Sequence, residues 1–200
     1  QEEYLKNMRI KIPIEVSARH AHLSQEHADI LFGRDYKFKI FKALSQREQY
    51  AYEEKIKIIG PRGHDDEVRV LGPYRSETQV EITETDARQL GIHAPIRESG
   101  NLKESAGGVK IVGPKGEVEL KKGVIIALRH VHMDPETAVK FGLKLGDKVN
   151  VDVSGIRDLL FENVVVRINP DFRLAMHIDT DEANAAEINA ENHEGELIIK

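Results

Sequence analysis

R-H-A-H-L-S-Q-E-H-A-D-I-L-F-G, residues 19–33, returns past the middle of the chain as R-H-V-H-M-D-P-E-T-A-V-K-F-G, residues 129–142. Each copy reads as a strand end carrying His-x-His, then a capping residue, a short helix and a Phe-Gly stop. Ser24 caps a helix over 25–32, and Asp134 caps one over 135–141 with Pro135 in its first turn. A second echo joins K-I-I-G-P-R-G at 57–63 to K-I-V-G-P-K-G at 110–116. Agreement in both residue type and implied structure points to two related units.

Around these copies the chain alternates apolar and polar residues in short runs: 11–16, 67–71, 78–82, 109–112, 117–120, 148–153 and 164–168. Gly-Pro pairs at 60–61, 72–73 and 113–114 read as turns between them. Many short strands with frequent turns predict small barrels or sandwiches rather than a parallel sheet. Residues 83–90, ending at Gly91, form a third helix on this reading. Thr180 or Asp181 caps a fourth, through about Asn189, while the charged stretch 46–55 reads as helix or loop.

Composition narrows the chemistry. The 200 residues contain no cysteine, which removes disulfides, thiolate metal sites and cysteine nucleophiles. Any transition metal is then held by histidine and carboxylate. The net charge of −5 is interspersed rather than striped, and aromatics make up 6% with no Trp, so neither a duplex-binding face nor a stacking platform is expected. No apolar run is long enough to span a membrane. Residues 1–9 are short and charged with no apolar stretch, so no secretory signal is expected there, and a cytoplasmic protein is.

Residues i and i+2 of a strand share a face, so His20 projects with His22 and His130 with His132. One His-x-His alone is more often a hydrogen-bonded surface pair. Two in a repeated context make a divalent metal site the better reading, with imidazole suiting zinc, cobalt or nickel. His177, in A-M-H-I-D-T-D, counts as a ligand only in that company. His27, His64, His93 and His193 lack a partner pattern and read as incidental. Arg19 and Arg129 point away from the paired histidines and read as structural ion-pair residues. Arg75, after Gly72-Pro73-Tyr74, is by itself a surface arginine with the fork to grip a phosphate. Glu81 is by itself an ordinary strand acid or a carboxylate ligand. R-E-S-G at 97–100 and S-A-G-G at 105–108 are small-residue loops whose amides can approach an anion. There is no Walker pattern, no G-x-G-x-x-G and no G-x-S-x-G.

Five blocks in order carry a resemblance: I-P-I-E-V-S-A-R-H-A-H-L-S, L-G-P-Y-R-S-E-T-Q-V-E-I, R-E-S-G-N-L, A-L-R-H-V-H-M-D-P and M-H-I-D-T-D-E-A-N-A. Over residues 12–186 the chain resembles the phosphate propanoyltransferases, the phosphotransacylases of the propanediol-utilisation type. The resemblance implies a reversible reaction of a short-chain acyl-CoA, acetyl or propanoyl, with phosphate to give acyl phosphate and coenzyme A. It implies a mainly β fold, two small β-barrels capped by short α-helices, unlike the α/β fold of other phosphotransacetylases. By position it implies two zinc ions on His20, His22, Glu81, His130, His132 and His177, a phosphate-contacting Arg75, and Ser99 near the phosphate. It favours direct attack of zinc- and arginine-bound phosphate on the thioester, with Ser99 as a hydrogen-bonding group. Many members carry an amphipathic N-terminal extension that targets a bacterial microcompartment. Here only about nine residues precede the first strand, so contact with a microcompartment shell is expected only if such an extension is missing from this sequence.

If both histidine pairs line one metal site, the N-terminal strand joins the C-terminal barrel. Residues 8–33 with 124–200 then form the first barrel, and 34–123 form a second that carries Arg75, Glu81 and Ser99. Two readings stay open beside the acyltransferase: a binuclear zinc hydrolase acting on a thioester or phosphoester, and a non-catalytic metal-binding module. Assembly into a homo-oligomer stays open too.

Overall fold

The structure, a computed structural model, describes residues 9–199. The reading of the N-terminal tail rests on residues 1–8, which lie outside the described residues. Along the first half run β1 (Arg9–Ser17), β2 (His20–Ser24), α1 (Gln25–Phe32), β3 (Ile40–Ala43), β4 (Tyr50–Ile59), β5 (Asp65–Arg75), β6 (Gln79–Glu81), α2 (Glu84–Leu90) and β7 (Ile96–Arg97). Then follow β8 (Val109–Val112), β9 (Glu117–Leu120), β10 (Val124–Ala127), β11 (His130–Met133), α3 (Pro135–Phe141), β12 (Lys148–Val153), β13 (Leu159–Ile168), β14 (Ala175–Asp179), α4 (Thr180–Ala185) and β15 (Glu194–Ile198). Among the described residues no helix is long and apolar enough to cross a membrane.

The chain divides into two compact units. Residues 9–17 and 128–199 form a closed six-stranded barrel in the order β1-β14-β11-β13-β12-β15. Residues 18–127 form a curled nine-stranded sheet, half a barrel, in the order β7-β10-β6-β2-β5-β4-β8-β9, with β3 added to β4. The N-terminal strand does join the C-terminal barrel, pairing β14 in parallel and β15 antiparallel. The expected boundaries are corrected on both sides. Residues 18–33 are expected in the first barrel, but β2 pairs β5 and β6 in the sheet unit. The stretch from 124 is expected there too, but β10 pairs β6 and β7. The chain leaves the barrel at Ser17, just before the histidines.

Each unit has its own core. Alternation along β4 sends Ile56 and Ile58 inward to meet Val68, Val70 and Ile111, while Lys55 and Lys57 face out to Glu67 and Asp65 at 2.7 and 2.8 Å. That charged outer face is what made 46–55 read as helix or loop. The segment from Tyr50 is a strand because its apolar period is two. The barrel interior is filled by Ile12, Val131, Met133, Val151, Val166, Met176 and Leu197. Each such side chain contributes roughly 1.5–3 kcal/mol on full burial.

The G-P-x-G echo has a packing cause. Gly60 lies under the end of α2, where an added Cβ would come within 2.1 Å of the Leu90 carbonyl oxygen. Gly113 lies under the end of α1, at 2.5 Å from the Leu31 carbonyl oxygen on the same construction. Both turns sit in the sheet unit, on strands β4 and β8 that pair with each other. The echo therefore marks two helix seats in one unit, not one seat in each.

Candidate metal and anion site

The His-x-His echo does fall one copy per unit, and the repeat extends beyond the echo itself. In the sheet unit, β2 is flanked by β5 in parallel and β6 antiparallel, which sets Glu81 opposite His20. In the barrel, β11 is flanked by β13 in parallel and β14 antiparallel, which sets His177 opposite His130. Each antiparallel strand then runs into a helix with a capping box, Thr83 with Asp86 and Asp179 with Glu182. Asp179, not Thr180 or Asp181, is the cap of α4, and the helix ends at Ala185, because only 179 places an acid three residues on at Glu182. Arg19 pairs with Asp86 and Arg129 with Glu182 at 2.7 Å, so both arginines are the structural ion-pair residues expected. The signal that reveals this repeat is E-I-T-E-T-D-A at 81–87 against H-I-D-T-D-E-A at 177–183.

In the sheet unit the candidate ligand atoms of His20, His22 and Glu81 all lie within 4.8 Å of one another. Nδ1 of His20 donates to the Ala18 carbonyl at 2.9 Å, which leaves Nε2 to face Glu81 Oε2 at 3.5 Å. A histidine anchored through one nitrogen to a carbonyl is oriented to bind metal through the other. Burial opposes a charge on His20, but Glu81 outweighs it and raises the imidazole above its ordinary value. Burial alone would raise the Glu81 carboxyl, but His20 and the Ser99 hydroxyl hold it well below the usual carboxylate range. His22 is 2% exposed, and burial with the adjacent Arg75 charge depresses it to about 3.

The barrel repeats the arrangement with three imidazoles. His130, His132 and His177 bring their ligand atoms within 4.8 Å of one another, and His130 Nδ1 donates to the Leu128 carbonyl at 2.8 Å. His132 stacks on Phe172 with centroids 3.8 Å apart, and burial together with its two histidine neighbours depresses it to about 2.

These residues fit a divalent ion on grounds of their own. Among the described residues, the buried side-chain atoms without a hydrogen-bond partner are His22 Nδ1, His132 Nδ1 and His132 Nε2. Each such orphan costs about 1–3 kcal/mol. That every one belongs to a ligand group is what a site shaped for a cation predicts. Neutral imidazole with one carboxylate, and three imidazoles, are both donor sets for zinc.

Arg75 is not a surface arginine. The Gly72-Pro73 pair lies within β5 rather than in a turn, and Arg75 ends that strand beside Ser24 of β2. Its guanidinium reaches His22 Nε2 at 3.2 Å and Ser99 Oγ at 3.3 Å. Ser99, in the loop after β7, donates to Glu81 Oε1 at 2.6 Å. The 97–100 loop thus reaches the histidine group. In the 105–108 loop the Ala106 and Gly108 amides are already used by the Val124 and Leu120 carbonyls, because this segment is stitched to the neighbouring strand ends. Gln79, not among the residues singled out from the sequence, is buried between Arg75, Ser99 and Glu81. Its place two residues before Glu81, on the same strand face, was the available signal. Of the histidines read as incidental, His64, His93 and His193 are exposed. His27 is half-buried, with Nδ1 2.8 Å from Thr78 Oγ1 beside the cap of α1.

The family model of the phosphate propanoyltransferases matches residues 13–189. A phosphate propanoyltransferase of Alkaliphilus metalliredigens is 47% identical over 92% of this chain and 86% of its own length. One of Thermotoga maritima is 51% identical over 89% of this chain and 85% of its own. One of Salmonella typhimurium is 52% identical over 88% and 83%. With a family model over most of its length and relatives near half identity, the chain belongs to the phosphate propanoyltransferase family of acyltransferases.

Proposed function

We propose that this protein is a zinc-dependent phosphate acyltransferase that interconverts a short-chain acyl-CoA and phosphate with acyl phosphate and coenzyme A. The observation that carries this reading is the juncture of Arg75 and Ser99 with the His20–His22–Glu81 group: Arg75 reaches His22 and Ser99, and Ser99 reaches Glu81. An anion held there has a guanidinium beside it and a metal-ligand group beneath it. A zinc ion held by His20, His22 and Glu81, and one by His130, His132 and His177, would supply Lewis acidity, worth several kcal/mol where negative charge develops.

In the proposed reaction a hydrogen phosphate oxygen forms a bond to the thioester carbonyl carbon. The C–S bond then breaks, and the proton of hydrogen phosphate ends on the coenzyme A sulfur. Arg75 grips two phosphate oxygens through its fork and fixes the angle of attack. His20 and His130, each anchored through Nδ1 to a backbone carbonyl, hold their rings without reorganisation. Ser99 acts as a hydrogen-bonding group. Its proton already goes to Glu81, which as a proposed metal ligand would not be free to act as the base that makes the hydroxyl a nucleophile. The absence of cysteine removes a thioester acyl-enzyme and supports a cytoplasmic location.

The test is acyl phosphate formation from propanoyl-CoA and phosphate, with metal analysis of the same sample. Phosphate-dependent release of coenzyme A with acyl phosphate as product and about two zinc ions per chain is expected. Thioester hydrolysis at the same rate with and without phosphate would replace the transferase by a hydrolase.

A further inference from the structure

The two halves of the repeat differ at one buried position beside the ligands. Opposite His22 on β6 stands Gln79, and opposite His132 on β14 stands Ala175. The half with a carboxylate ligand carries a buried amide, and the half with three histidines carries a methyl group.

Gln79 is 1% exposed, and both ends of its amide are engaged. Oε1 accepts from the Gly100 N–H at 2.8 Å and faces Arg75 Nη1 at 3.5 Å. Nε2 donates to Ser99 Oγ at 3.0 Å and to Glu81 Oε1. The chemistry of the neighbours determines this orientation. Turned over, the amide would set its oxygen against the Glu81 carboxylate and its NH2 against the Gly100 N–H. Ser99 has one proton, and it goes to Glu81, so its lone pairs face Gln79 and Arg75.

We propose that Gln79 is the positioning residue that presents Arg75 and Ser99 to phosphate. This rests on the reading of Arg75 and Ser99 as the phosphate site. Gln79 acts through them, for its amide is used up by protein groups. Three consequences follow from its being a neutral amide rather than an acid. It holds Gly100, and with it the Ser99 loop, against β6. It orients the guanidinium through a neutral oxygen that does not compete with an incoming anion for its charge. Together with Ser99 it occupies Glu81 Oε1, so that Oε2 is the oxygen turned toward His20. A carboxylate at 79 would keep the Gly100 contact, pair with Arg75 as an ion, and stand against both Glu81 and phosphate.

The deciding variant is Gln79→Glu in the full chain with its metal. The expected result is a rise of at least about tenfold in KM for phosphate, with KM for propanoyl-CoA within about twofold of the parent, since only the phosphate contacts are altered. Calorimetric titration with inorganic phosphate alone should weaken by a similar factor, a readout independent of turnover. Loss of general structure would move both KM values and the melting temperature together. Gln79→Met keeps the volume without adding a charge and carries the same test if the acid does not fold. It is expected to raise phosphate KM less than the acid does, because no ion competes for Arg75. A folded variant of either kind that keeps the parental phosphate KM and phosphate affinity overturns the proposal. If the parent protein itself forms no acyl phosphate, the proposed function fails instead, and the two failures are told apart by that control.

Discussion

Replacing Arg75 tests the proposed anion site most directly. In Arg75→Ala, His22 Nε2 and Ser99 Oγ lose the guanidinium contacts at 3.2 and 3.3 Å, and the site loses a positive charge beside the ligand group. Removing one preorganised donor from a developing charge costs about 10²–10³ in turnover, which is ~2.7–4 kcal/mol. Arg75 offers two donors and a fork, so a fall of at least ~100-fold in kcat/KM is expected. Arg75→Lys restores a charge but cannot reach His22 and Ser99 at once with fixed geometry, so it should recover little. Arg75 also helps depress His22, so its loss lets that imidazole rise from about 3 toward its ordinary value without removing a ligand. The assay is coenzyme A release coupled to trapping of acyl phosphate, with metal content measured on the same preparation. Near-parental turnover in Arg75→Ala with its metal intact would refute the assigned phosphate site.

Chelation should abolish activity and lower the melting temperature by several degrees, about 2–4 °C for each kcal/mol of metal-linked stability, with zinc restoring both. An unchanged melting curve after verified metal removal counts against the ligand groups. His132→Ala should lose about one zinc ion per chain, because His130 and His177 remain as only two ligands, and elemental analysis reads this directly. In that background the remaining metal affinity should fall as pH drops through the raised His20 value, since the proton and the metal compete for Nε2, and should level off above it; a competition titration that is flat from about pH 5.5 to 8 would contradict the assignment of His20. Gly60→Ala drives a methyl into the Leu90 carbonyl and should cost more than ~3 kcal/mol or prevent folding, whereas Gly63→Ala, with open space but φ of +78°, should cost about 1–2 kcal/mol by chemical denaturation.

Much of the local structure was legible because it depends on neighbours in the chain. Ser24 and Asp134 cap their helices as read, with Gly33 and Gly142 behind them, and the helix read over 83–90 ends at Gly91 with Thr83 as its cap, since capping involves contacts three or four residues apart. The cap of α4 was misread because three acids or hydroxyls stand in a row, and only the contact with Glu182 selects Asp179. The strand at 50–59 was obscured because its outer face is charged and its partners β5 and β8 are distant in sequence. The depth of the repeat was missed because Glu81 and His177 are different residues, although they occupy the same register position opposite the first histidine of each pair.

The sequence by itself determined the His-x-His pairs, the caps of α1 and α3, the lack of thiol chemistry, and, through five ordered blocks, the family. Those are statements about residue identity and short spacing. Only the tertiary structure decided that the chain leaves the barrel at Ser17, so that His20 and His22 belong to the sheet unit with Glu81. It also decided that Arg75 is drawn from solvent to Ser99 and that Gln79 is the amide joining them. Their positions at 75, 79 and 99 meet because antiparallel pairing and loop closure bring distant residues to one strand face, and strand register is set by the burial of whole faces rather than by any one residue.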